Sequence, residues 1–185
     1  MKKAALAAAL AAILYSGSMT KPRYVNGNHL IRPEGYREWI FAGANYGMSY
    51  TEGDPAAASK PGTFHNVYIQ PEAYRAYART GQFPDHTMLV MEILKPGTNA
   101  SINKRGMFED EFVGIEVALK DEKRFPEKWA YYKFFTSDGK VLPDAKPFAK
   151  EACWDCHNKH AAVDNVFVQF HAVLKAARPE RKPSH

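Results

Sequence analysis

The sequence predicts an α+β fold, a large antiparallel β-sheet with short helices and a helical C-terminal segment. Three observations lead there. The middle of the chain alternates apolar and polar residues with period two, the pattern of half-buried strands. A helical stretch opened by Pro71 and closed by Gly81 precedes those strands. After Cys153 the apolar residues return to helical spacing.

Taken in order, Trp39 to Ala42 and Val67 to Ile69 read as short strands. Pro71 to Thr80 reads as a helix, with proline suited to the first helical position and Gly81 to the C-terminal cap. Met88 to Leu94 reads as a strand with Val90 and Glu92 on one face and Leu89, Met91 and Ile93 on the other. Phe112 to Leu119 and Trp129 to Thr136 are further strands, the latter ending in the turn residues Ser137-Asp138-Gly139. Val163, Val166, Phe167, Phe170 and Leu174 fall at helical spacing and predict a C-terminal helix. The looser segments are Met19 to Asn28, Thr51 to Thr63, Gly97 to Gly106 and the tail from Arg178.

The chain has 185 residues and only two cysteines, both inside Cys153-Trp154-Asp155-Cys156-His157. This is C-x-x-C-H, the attachment signature of a c-type haem. Two thiols three residues apart can form thioethers to the two vinyl groups of one porphyrin, and the following imidazole can ligate the iron. A thioredoxin-like dithiol needs no histidine and belongs beside a βαβ pattern. A zinc site needs two further ligands, of which His160 is the only near candidate. The expected cofactor is one covalent haem c per chain, with His157 as the metal ligand.

The N-terminus carries Lys2 and Lys3, then an apolar run from Ala4 to Tyr15 that is short for a bilayer span. It reads as a signal peptide over residues 1–18, with small Ser16 and Ser18 at the cleavage positions; an uncleaved anchor is the alternative. Attachment of bacterial c-type haem outside the cytoplasmic membrane agrees with export, which points to a periplasm. Residues 19–33 form an N-terminal segment, 34–177 one haem domain and 178–185 a basic tail. The net charge of +5 is drawn partly from the chain ends. Nucleic acid is a poor partner for an exported haem protein. An electron-transfer cytochrome is the macromolecular redox partner to expect.

From Gly35 to Ala176 the chain resembles the cytochrome P-460 and cytochrome c-prime-beta family. The landmarks are Gly35-Tyr36-Arg37-Glu38-Trp39, Val67-Tyr68 with Pro71 and Tyr74, and Thr80-Gly81-Gln82-Phe83-Pro84-Asp85. They continue with Gly114-Ile115-Glu116, Lys120-Asp121 before Arg124-Phe125, Trp129-Ala130-Tyr131, and Cys156-His157 with Asp164, Val166-Phe167 and Phe170. The resemblance implies a large antiparallel sheet with helices, a homodimer, and five-coordinate iron with an open distal side. A vacant position lets a haem bind and transform small molecules rather than only carry electrons. From the residues alone, Met48, Met88, Met91, Met107, His29, His65, His86, His160 and His171 stand as candidate sixth ligands.

Two positions separate the branches of this family. In the hydroxylamine-oxidising branch, a lysine just before a glutamate is bonded to the porphyrin edge. The matching residue here is Met91, followed by Glu92. Lys95 lies about 13 Å further along an extended strand. The resemblance therefore implies no lysine–haem bond. Met91 is either a packing residue at the haem edge or the partner in a sulfonium link. The second position is Glu116, which matches a glutamate facing the open side of the iron in the hydroxylamine-oxidising branch, whereas the nitric-oxide-binding branch has an apolar pocket. By pattern alone, Glu116 is either that distal group or an outward residue sharing a face with Phe112 and Gly114.

These readings together predict a haem protein that processes hydroxylamine, nitric oxide or peroxide, peroxidase-like in character. Glu116 would be its proton-transfer residue, and Cys153, Cys156, His157, Met91, Phe64 and Phe108 would be cofactor contacts. A non-catalytic nitric-oxide binder is the competing class.

Overall fold

The computed structural model describes residues 20–48, 62–98 and 100–179. The expected signal peptide, most of Thr51 to Thr63 and nearly all of the basic tail lie outside the described residues. No helix among the described residues is long and apolar enough to cross a membrane.

The strands are β1 (Tyr24–Val25), β2 (His29–Ile31), β3 (Ile40–Tyr46), β4 (Phe64–Ile69), β5 (Met88–Gly97), β6 (Phe108–Lys120), β7 (Trp129–Lys133) and β8 (Asp144–Ala145). The α-helices are α1 (Pro71–Thr80), α2 (Trp154–His160) and α3 (Ala172–Ala177). The strands form two antiparallel sheets, one ordered β3-β4-β5-β6-β7 and a small one ordered β1-β2-β8. The fold is α+β, as the alternation and the bounded helix predict.

Helix α1 has its expected limits: Pro71 begins it, and Gly81 ends it at φ 72°, its N–H bonding back to the Tyr77 carbonyl. The strands run longer than the apolar pattern suggests. β4 begins at Phe64 because the polar pair His65-Asn66 is still within the ladder, with Asn66 buried and its amide donating to Glu109 at 2.8 Å. β5 reaches Gly97 through Pro96, which sits where the β5–β6 register shifts, a position that spares a ladder donor. The strand beginning at Trp129 ends at Lys133, and the chain then turns through Ser137-Asp138-Gly139 as expected.

The C-terminal region departs from the predicted continuous helix. Asp164 and Asn165 take φ of 42° and 61°, which reverses the chain and pairs Val163 with Val166 as an isolated antiparallel bridge. A 3-10 turn over Val168–Phe170 and the short α3 follow. Asp-Asn between two valines is a two-residue hairpin signal. It outweighs the helical spacing of the apolar residues around it.

The five-stranded sheet is buried on both faces, and strict alternation divides its residues between two cores. Leu89, Trp129 and Tyr131 pack on one face with Tyr77, Phe83, Val166, Val168 and Leu174. Met88, Val90, Ile115, Val117, Leu119, Ala130 and Tyr132 pack on the other with Leu30, Phe134 and Ala145. Glu92 belongs to this second face and is 3% exposed. Its carboxylate accepts from the Tyr36 hydroxyl at 2.8 Å and from Arg37 Nε at 2.8 Å, with Arg37 Nη2 also in contact. The Gly35–Trp39 landmark therefore closes over a buried carboxylate on the side of the sheet away from Met91.

Arg37→Ala would leave Glu92 with the Tyr36 hydroxyl alone. Loss of a charged partner from a buried acceptor costs about 1–3 kcal/mol, and the largely exposed guanidinium places this case at the lower end. A lower urea midpoint with an unchanged slope is the expected result. An unchanged midpoint would mean that the pair contributes nothing.

Candidate functional site

A cleft of about 270 Å³ lies between the first face of the sheet and the C-terminal segment. Its sheet wall carries Val67 from β4, Leu89 and Met91 from β5, and Glu116 and Ala118 from β6. The facing wall brings Cys153, Cys156, His157, Phe167 and His171. Met91 and Glu116 are direct register partners, in a row that runs Gly43, Val67, Met91, Glu116, Lys133 across all five strands. The cleft thus gathers Met91, Glu116, Cys153, Cys156 and His157 from separate parts of the sequence. Glu116 lies on the cleft face, not on the outward one.

Phe64 and Phe108 are not among the lining residues. Phe64 packs on Tyr46 with ring centroids 4.7 Å apart, and the Phe108 ring lies against Gly97. The aromatic lining comes from Tyr131, Phe148, Phe167 and Phe170 instead. Of the candidate sixth ligands, Met48, Met91, His65 and His171 line the cleft.

Glu116 is partly buried, and desolvation pushes its carboxyl above the usual carboxylate range. The Lys133 ammonium pulls the other way without reversing the shift. The neighbouring side chains Val67, Leu89, Met91 and Ala118 offer the carboxylate no hydrogen bond, which is why burial dominates.

Helix α2 presents the motif. The N–H of His157 bonds to the Cys153 carbonyl at 3.1 Å, which sets the thiols and the imidazole within one helical turn. Trp154 fixes the helix from outside the cleft by donating to the Glu127 carbonyl at 3.1 Å. His157 Nδ1 lies 2.8 Å from the Asn165 carbonyl oxygen. A carbonyl only accepts, so Nδ1 carries the proton and Nε2 keeps its lone pair, the tautomer an iron ligand requires. Burial also lowers the affinity of His157 for a second proton.

The Asn165 carbonyl is held by the turn that the sequence pattern concealed. Asp164 accepts from Lys120 Nζ at 2.8 Å and from the Trp129 indole at 3.1 Å. Lys120 itself is 7% exposed and also donates to the Phe83 carbonyl. Asn165 is a site residue that the sequence pattern did not single out, and Tyr131 entered there only as part of a family landmark, with no role at the site. The Asp-Asn dipeptide was the available signal for the first.

The donor set distinguishes the cofactor readings. Burial, aided by Glu116 and Cys156, pushes the Cys153 thiol up to about 11, the opposite of the lowered value that activates a redox dithiol. Among the described residues, no third metal-ligating group joins the two cysteines; the one such cluster is Asp85, His86 and Asp121. An apolar cleft beside two thiols and an imidazole with a free Nε2 fits a porphyrin. Two buried polar atoms beside the cleft, Asn165 Nδ2 and His171 Nδ1, have no partner among the described residues. Such atoms fit a cleft built around a further group with polar substituents.

His171 is 8% exposed, and burial together with the nearby His157 pushes its pKa down to about 4. The unfolded value is about 6.5. Between these values the unfolded chain binds a proton that the folded one does not, so stability is full above about 6.5 and falls as pH drops toward about 4. The loss from this group is at most about 3 kcal/mol. His65, also lowered by burial, adds slope of the same sign. Urea unfolding at several pH values should give a shallower acid slope for His171→Leu than for wild type. Equal slopes would show that His171 does not contribute.

No curated protein matches the chain. The family model described as Cytochrome P460 matches residues 33–168. That span runs from the turn over Glu92 through β3–β7 and α2 to the Asp164-Asn165 turn, and so contains both cysteines, His157, Met91 and Glu116. The chain belongs to the cytochrome P460 family and is a c-type haem protein.

Proposed function

We propose that this protein is an exported, peroxidase-like haem protein in which Glu116 handles protons for small nitrogen and oxygen ligands. The observation that carries the reading is the register pair of Met91 and Glu116, a desolvated carboxyl beside a thioether on a largely apolar wall facing the C-x-x-C-H helix. Cys153 and Cys156 would hold one haem by two thioethers, and His157 would ligate its iron through Nε2. Bound haem supplies redox electrons and, with a single protein ligand, an open coordination position.

The remaining chemistry falls to the side chains. A carboxyl whose pKa is raised by burial can both take and return a proton. With hydrogen peroxide, Glu116 would accept the proton from one oxygen and deliver it to the other, which leaves as water. Hydroxylamine presents N–H and O–H protons to the same group. Met91 has no amine with which to form the porphyrin bond of the hydroxylamine-oxidising branch. Lys95 does not replace it, because its ammonium pairs with Glu111 at 2.8 Å at the exposed end of β5. The reading includes a periplasmic location, a homodimer and an electron-transfer cytochrome as redox partner.

A second reading, a non-catalytic nitric-oxide binder, is favoured by the walls formed by Val67, Leu89, Met91 and Ala118. Nitric oxide brings no proton and would engage those walls without using the carboxylate.

Intact mass and peptide mapping should show the mature chain plus one haem, attached at Cys153 and Cys156, with the Met91 peptide unmodified. The ferrous Soret band should lie where ordinary c-type haems absorb. A Met91 peptide carrying porphyrin, or two attachments surviving in Cys156→Ala, would overturn the assignment.

Glu116→Gln keeps the shape of the side chain and removes its titration. A positioned acid–base group contributes about 10²- to 10⁴-fold in rate. Stopped-flow reaction with peroxide should therefore slow by that order in Glu116→Gln and Glu116→Ala, while nitric oxide still binds the ferrous protein. The wild-type rate should fall as pH drops through the raised carboxyl pKa, because the proton acceptor is lost. Equal rates in all three proteins, with no such ionisation, would favour the binding protein.

A further inference from the structure

We infer that Tyr131 tunes His157 by sharing its hydrogen-bond acceptor. This rests on the reading of His157 as the iron ligand. The Asn165 carbonyl oxygen receives two donors: His157 Nδ1–H at 2.8 Å and the Tyr131 hydroxyl at 3.2 Å. The oxygen cannot follow either donor freely. It belongs to a turn with two left-handed residues, locked by Asp164 to Lys120 on β6 and to Trp129 on β7. The Tyr131 ring also packs on the imidazole, with centroids 4.3 Å apart.

A carbonyl oxygen has two lone pairs and can serve both donors. Each donor withdraws electron density from the same atom, so each weakens the other. A strong acceptor on Nδ1–H gives an imidazole anionic character and makes Nε2 a better electron donor to a metal. The Tyr131 hydroxyl takes part of that acceptor strength and keeps His157 a more neutral ligand. Hydrogen bonding to the axial ligand is one of the levers that set a haem's electronic properties. Tyr131 touches neither substrate nor iron in this role; it is a positioning residue that acts through Asn165.

The test is Tyr131→Phe in the haem-loaded protein, which keeps the ring and deletes the hydroxyl. The His157–Asn165 bond should strengthen. The iron–imidazole stretching mode of the ferrous protein, read by resonance Raman, should shift to higher frequency, and the midpoint potential should shift lower. Trp154→Phe removes a hydrogen bond from the same helix to a different carbonyl and should move neither. A Tyr131→Phe protein with a lower melting temperature but unchanged frequency and potential would make Tyr131 a packing residue only and overturn the inference. Equal shifts in Trp154→Phe would assign the effect to general loosening of α2 and overturn it as well. Absence of any iron–imidazole mode in the wild type would remove His157 as the ligand, and the inference with it.

Discussion

The half-buried ion pair between Lys120 and Asp164 is the contact on which the site's geometry depends. It ties the end of β6 to the turn after α2, and the same carboxylate takes the Trp129 indole from β7. Desolvating such a pair is costly, so it adds little net stability unless its remaining donors are satisfied. Here the ammonium also reaches the Phe83 carbonyl and lies 3.2 Å from Glu122. The return is positional. A two-residue turn is held against the sheet, and its second residue presents a carbonyl to His157. Without that anchor the imidazole would depend only on a seven-residue helix and two aromatic neighbours, Tyr131 and Phe167.

A sheet buried on both faces creates a second constraint. Two carboxylates on adjacent strands, Glu92 and Glu116, meet opposite fates because the strand period is two. Glu92 points to the face covered by the Tyr36–Glu38 turn and finds a hydroxyl and a guanidinium there. Glu116, opposite Met91, points into the cleft, where only Lys133 in the next strand offsets its burial. The first is a structural anion. The second remains free to exchange a proton. A one-residue slip between β5 and β6 would break the Met91–Glu116 pairing. The long ladder from Met88 to Gly97 against Phe108 to Leu119 therefore preserves chemistry as well as stability.

Much of this was legible because local rules and global fold agree. Pro71 and Gly81 bracket α1, period two locates β5 to β7, and C-x-x-C-H names the thiols and the imidazole without any tertiary information. The failures have one physical origin: contacts between residues far apart in sequence. Phe64 and Phe108 lie in strands beside the predicted site, but their positions along the ladder carry them to Tyr46 and Gly97. The valines and phenylalanines after residue 160 have helical spacing, yet Asp164-Asn165 turns the chain because Lys120 and Trp129 wait more than thirty residues upstream to receive it. His171 reads as one histidine among seven. Its burial beside the cleft goes with a close approach of its backbone to Gly43, where a Cβ would lie 3.3 Å from the His171 Cα.

The competing functional readings reduce to the polarity of one wall. Val67, Leu89, Met91 and Ala118 make that wall a poor host for charge and a good one for a small neutral ligand. Glu116 is its acidic member, set among those apolar side chains with Asn45 and His65 also on the sheet side, and its raised proton affinity follows from burial there. The features that suit a gas binder are thus those that raise the proton affinity of the carboxyl. Met91 pushes further in this direction, since a thioether adds bulk without charge or a hydrogen-bond donor. A free ammonium at this position would give Glu116 a cation as its register partner, and the carboxyl would ionise more readily. With methionine there, the carboxyl holds its proton to higher pH. Met91 therefore strengthens the case for acid–base chemistry at its neighbour.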